Sequence, residues 1–117
     1  MPEGSNKPIL ESNRYAGSAT TYQDLVKYTP QPSKTAYIES IYLAFNAASV
    51  GVATFDIEIN GKHVVKDQVY SYQFIPFDFR GKLIVRGDID EGIKVKVKST
   101  GAAIDVSAFI IGIEVEE

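Results

Sequence analysis

The stretch Lys82–Val115, KLIVRGDIDEGIKVKVKSTGAAIDVSAFIIGIEV, decides the fold. It holds three strand-like runs, Lys82–Arg86, Ile93–Ser99 and Ile104–Val115, parted by turn signals at Gly87–Gly92 and at Ser99-Thr100-Gly101. The middle run alternates strictly: Ile93, Val95 and Val97 against Lys94, Lys96 and Lys98. Successive strand side chains point to opposite faces, so the first set is assigned to a core and the second to water. The last run is apolar in both registers. Phe109, Ile111, Ile113 and Val115 form one set, and Ile104, Val106, Ala108 and Ile110 the other. Such a strand lies between two layers, or is central in one sheet and docked on another subunit.

Working outward, the chain punctuates itself as strands. Thr20–Thr29 reads as a first strand, broken by Pro30 and Pro32, since proline cannot donate to a ladder. Thr35–Asn46 is a long strand with Ile41, Leu43 and Phe45 on one face and Ile38 and Tyr42 on the other. Val52–Ile59 puts Phe55, Ile57 and Ile59 inward and Thr54, Asp56 and Glu58 outward, and Asn60-Gly61 turns it back on Lys62–Lys66. A type I′ turn needs positive φ at both central residues, which Asn-Gly supplies. Gln68–Phe77 is a further strand, and Asp78-Phe79-Arg80-Gly81 is expected to turn the chain into Lys82–Arg86. Seven or eight short strands with no sustained helical period predict an all-β antiparallel sandwich. A jelly-roll-like topology is preferred to an immunoglobulin one, whose Cys…Trp…Cys pattern is absent. The expected organisation is a flexible N-terminal arm over residues 1–19 and a single domain over 20–117. The arm reads as a frayed terminus or, more sharply, as a segment that orders on a neighbouring subunit through Ile9, Leu10 and Tyr15.

Composition narrows the chemistry. With 44% apolar and 23% charged residues, the 117-residue chain has the make-up of a globular domain. It has no Cys and one His, which removes thiolate nucleophiles, cysteine zinc sites and multi-histidine centres within one chain. A net charge of −3 argues against a nucleic-acid partner, and no apolar run reaches the length of a membrane span. The N-terminus lacks an apolar signal core, so a cytoplasmic location is expected unless the chain is part of a virion.

No candidate for catalysis stands out. The acidic turn at Asp88, Asp90 and Glu91 misses the spacing of a calcium loop and reads as turn chemistry. Asp56 and Glu58 share a strand face at a spacing that carboxylate pairs of glycosidases use, but alternating acid on a solvated face accounts for them. His63 reads as a surface residue of the hairpin, and the lysine comb as a solvated face that blunts edge pairing. The expectation is therefore no enzyme, no cofactor and no metal. The aromatic run YSYQFIPFDF at Tyr70–Phe79 puts Tyr70, Tyr72 and Phe74 on one strand face. With Tyr42, the residues Tyr70 and Tyr72 are the stacking candidates of an alternative reading, a carbohydrate- or receptor-binding module.

Three pieces carry a resemblance: Tyr28–Ala44, with its strand, proline turn and long strand; the hairpin stretch Ala53–Lys62; and Lys82–Val97 followed by the last strand ending Gly112-Ile113-Glu114-Val115. Their order over Tyr28–Val115 is similar to small β-sandwich structural proteins of tailed bacteriophages and related viruses, such as head-decoration, tail and fibre-tip modules. The resemblance implies a non-enzymatic virion component that binds its own copies, commonly as a homotrimer, and a capsid or tail protein lattice. The candidate seam is the second apolar face of the last strand, Ile104, Val106, Ala108 and Ile110.

Overall fold

The computed structural model describes residues 6–46, 51–70 and 74–116. Eight strands run along the chain: β1 (Lys7–Gly17), β2 (Gln23–Tyr28), β3 (Lys34–Phe45), β4 (Ala53–Ile59), β5 (Lys62–Tyr70), β6 (Phe74–Arg86), β7 (Ile93–Ser99) and β8 (Ile104–Glu116). They form two four-stranded sheets, β1-β8-β3-β6 (sheet A) and β2-β7-β4-β5 (sheet B), with every pairing antiparallel. Every connection crosses between the sheets except the β4–β5 hairpin. This is the double Greek key of a jelly roll.

The core is built from the inward registers of both sheets. Ile93, Val95 and Val97 of β7 and Phe55 and Ile57 of β4 are buried from sheet B. Ile38, Ile41 and Leu43 of β3, Val85 of β6 and Ile9 of β1 oppose them from sheet A. Asn60 and Gly61 have φ of 53° and 83°, the left-handed pair that a two-residue hairpin requires.

Four expectations are corrected. First, residues 7–17 are not a free arm. They pair in register with β8 from Lys7↔Glu114 to Gly17↔Ile104, with Ile9 in the core. Tyr15 packs against that core, and its hydroxyl accepts the Ala19 N–H at 3.1 Å. Adding β1 covers an edge of β8 that would otherwise lie open. Second, Asp78–Gly81 is not a turn but the interior of β6, where Arg80 and Gly81 take φ of 55° and 73° and kink the strand without ending it. Third, β3 does not keep a period of two. Its pairing shifts between Ile38 and Ser40, so Ile38 faces inward together with Ile41 and Leu43. Gly112 lies opposite this bulge, where a Cβ would sit 2.5 Å from the Tyr37 carbonyl oxygen. Fourth, Ile104, Val106, Ala108 and Ile110 are the core register of β8, each at 2% exposure or less. They are sealed inside one chain, and a surface seam cannot be made from them.

Candidate assembly surface

With that register of β8 turned inward, the other apolar set points outward. Strand alternation places Phe109, Ile111 and Ile113 on the outer face of sheet A, and register puts neighbours beside them. Ile113 lies between Pro8 and Tyr37, and Tyr37 is opposite Ile84. Ile111 is opposite Leu10, and Phe109 is opposite Tyr42, which is opposite Pro76. Tyr42 stacks on Phe74 with ring centroids 5.3 Å apart and meets Phe109 at 4.9 Å, so three aromatic rings cross three strands on the solvent side.

Among the described residues, eight large apolar side chains are exposed, and five of them lie on this face: Leu10 (68%), Phe74 (56%), Ile113 (41%), Tyr37 (38%) and Ile84 (37%). At about 200 Å² for a large side chain, those fractions leave roughly 480 Å² of apolar surface. Tyr42, Phe109, Ile111 and the two prolines bring the patch to roughly 600 Å², at the top of the range for a monomer. Charge interrupts the face at the β3–β6 irregularity, where Glu39, Asp78 and Arg80 are exposed, and borders it elsewhere. At one end Arg14 grips Asp105 through two bonds of 2.7 and 2.5 Å, while Asn46 donates to the same carboxylate at 2.6 Å. The Arg14 bond, then that from Asn46, holds the Asp105 carboxyl down at about 2 against an ordinary 3.8.

The outer face of sheet B is the opposite. Lys96 of β7 lies between Asp24 of β2 and Asp56 of β4, and Lys94 between Lys27 and Glu58. Lys96 Nζ is 3.7 Å from Glu58 Oε2, and Lys98 sits 4.6 Å over the Tyr22 ring. Burial, and then the bond to Asp67, raises the Tyr22 hydroxyl above its usual range. His63 does not stand alone on its hairpin: its Nδ1 is 2.7 Å from Asp56 Oδ1. The Asn60-Gly61 turn sets Ile59 opposite Lys62 and Glu58 opposite His63, and the register shifts on either side of Ile57 bring the ring to Asp56 as well. Counting from the turn, which brings His63 to Glu58, is available from the sequence; the shifts that bring it to Asp56 are not.

Of the sugar-stacking candidates, Tyr42 and Tyr70 do not share a face. Tyr42 is on sheet A, with its ring engaged by Phe74 and Phe109. Tyr70 is on sheet B and packs against core Phe55 at 5.9 Å. Phe74 is on sheet A, so Tyr70 and Phe74 do not share a strand face, and Tyr72 lies outside the described residues. Of the arm anchors, Ile9 and Tyr15 are spent on the core, and Leu10 alone joins the outer face. The acidic turn does turn chemistry: Asp88 accepts the Ser33 N–H at 3.0 Å and Asp90 the Arg86 N–H at 2.7 Å.

No protein-family model matches the sequence, and no curated protein matches it. The fold does match solved structures. A chain of the cyanophage Pam1 capsid asymmetric unit superposes with a TM-score of 0.52 at 10% identity, over 92% of this chain and 86% of that one. A chain of the T13 viral particle of infectious bursal disease virus (IBDV) gives 0.53 at 10% identity over 96% of this chain, which spans only 31% of the viral one. A protein of Bacillus endospore appendages, described as disulfide-linked pili, gives 0.50 at 16% identity over 99% and 94%. At these identities the likeness is one of fold: this chain has the jelly-roll sandwich found in capsid and pilus subunits. It has no cysteine with which to link subunits as those pili do.

Proposed function

We propose that this chain is a non-enzymatic building block of a virion-type protein shell, and that it self-associates through the outer face of sheet A. The apolar outer face carries the proposal. A sheet whose solvent side holds Leu10, Tyr37, Phe74, Ile84 and Ile113 around an aromatic row, with the charges of Glu39, Asp78 and Arg80 gathered at one irregularity of β3 and β6, has the make-up of a subunit interface. Its extent approaches the roughly 800 Å² per partner of a standard interface. The shared fold with capsid subunits supports the shell setting. A homotrimer, bound in turn to a capsid or tail protein, is the assembly that the resemblance implies.

The test is absolute mass by light scattering coupled to size exclusion, on the native chain and on Phe74→Asp. We expect a closed oligomer for the native chain, and a folded monomer for the variant, whose side chain is 56% exposed and outside the core. A native chain that runs as a monomer at high concentration overturns the proposal, as does a variant that keeps the full oligomer.

A further inference from the structure

We infer that Asp56, Glu58 and His63 form a binding site for a divalent transition metal on the outer face of sheet B. Their candidate ligand atoms, one from each residue, all lie within 4.8 Å of one another. Asp56 and Glu58 sit two apart on β4, a strand flanked by β7 and β5, so both carboxylates are aimed to the same side from a backbone held on both edges. His63 reaches them from β5 as the direct cross-strand partner of Glu58. Two register shifts in the β4–β5 ladder, one on each side of Ile57, place its ring beside Asp56 as well. Bulges of this kind re-aim side chains.

Two carboxylates and one imidazole are a donor set for zinc and its first-row neighbours. Calcium takes six to eight oxygens and magnesium a near-ideal octahedron of them, so neither is the ion that this set selects. The site is already partly desolvated, with the Asp56 and Glu58 side chains 9% and 17% exposed, while the His63 side chain at 41% leaves an entry path. The separation of 2.7 Å between Nδ1 and Oδ1 need open only by a fraction of an ångström for an ion at about 2.0–2.2 Å from each. The competing charge is Lys96, whose ammonium 3.7 Å from Glu58 must swing aside when the metal enters. A bound ion would clamp edge strand β5 to β4 and stiffen the rim of sheet B.

Calorimetric titration of the full chain with Zn²⁺ in a non-chelating buffer, with Ca²⁺ and Mg²⁺ in parallel, tests this. One saturable Zn²⁺ per chain is expected, with no comparable binding of the other two. His63→Ala, at an exposed position, is expected to weaken binding at least tenfold with an unchanged circular dichroism spectrum. Lys96→Met, which keeps the aliphatic stem and removes the competing charge, is expected to tighten it severalfold. The inference is overturned if Zn²⁺ does not saturate at one per chain, if His63→Ala binds as tightly as the native chain, or if Lys96→Met leaves the affinity unchanged.

Discussion

The two sheets share one core and present opposite exteriors. Outside sheet B, lysines of β7 interleave with carboxylates of β2 and β4: Lys96 lies between Asp24 and Asp56, and Lys94 is opposite Glu58, though also beside Lys27. Outside sheet A, the same positions hold isoleucine, tyrosine and phenylalanine. The inner faces cannot account for this, because both are mainly apolar. A sandwich needs only its inner registers to fold. What covers the outside is therefore free to suit what the outside meets: on the proposed reading, water and ions for sheet B and another protein surface for sheet A.

The largest expected effect separates the two registers of β8. Val106→Asp puts a carboxylate into a position with no exposure and is expected to cost more than about 4 kcal/mol, a large share of the total stability of a domain. Ile113→Asp, one strand face over and 41% exposed, is expected to change monomer stability by less than about 1 kcal/mol. Urea unfolding of both variants checks the pair. Equal losses would erase the distinction between core and outer register.

A smaller effect is expected where the core itself turns polar. Glu114 faces inward at 7% exposure, accepts a hydrogen bond from the Tyr28 hydroxyl and has Lys34 Nζ at 3.9 Å. Burial, and then this bond, raises the Tyr28 hydroxyl above its ordinary range. Tyr28→Phe removes the donor and leaves a buried carboxylate underserved, an expected loss of about 1–3 kcal/mol in the same unfolding assay. A variant as stable as the native chain would show that Lys34 and water suffice.

The smallest effect belongs to the margin of sheet A and depends on pH. The Asp105 carboxyl is held at about 2, below the 3.8 of the free group, so the folded chain favours its ionised form. The stability it contributes is complete above about pH 4 and is lost as pH falls towards 2. Asp105→Asn is therefore expected to flatten unfolding midpoints measured between pH 2 and 4. An unchanged slope would mean that other carboxylates carry the acid response.

How much of this could be read from the chain depends on local signals. The lysine comb of β7 announces its two faces, and Asn60-Gly61 announces its hairpin, because each leaves one backbone solution. β8 is ambiguous by periodicity, since both registers are apolar. Asp105 and Ser107, which share the register of Phe109, were the available hint that this set faces out, and Glu114 in the other register pointed the wrong way. β1 is hidden because Ile9 alone of its eleven residues is fully buried. Such a strand owes its place to the ladder with β8 rather than to its own pattern. Arg80-Gly81 in β6 misleads for a chemical reason: positive φ serves a bulge as well as a turn. The bulge at Glu39 in β3 has no local signal, because partner strands impose it from both sides. The outer face of sheet A inherits all of these, and so it could be assembled only in three dimensions.

The most direct test is hydroxyl-radical footprinting of the native chain, read at high concentration and after dilution. If the outer face of sheet A is the assembly surface, Leu10, Tyr37, Phe74, Ile84 and Ile113 are protected in the concentrated sample and regain reactivity on dilution. Val64, Val69 and Ile89, the other three exposed large apolar side chains among the described residues, should react equally in both. Protection of Val64 and Val69 on β5 with full reactivity across sheet A, or no change at any of the eight, would contradict the account.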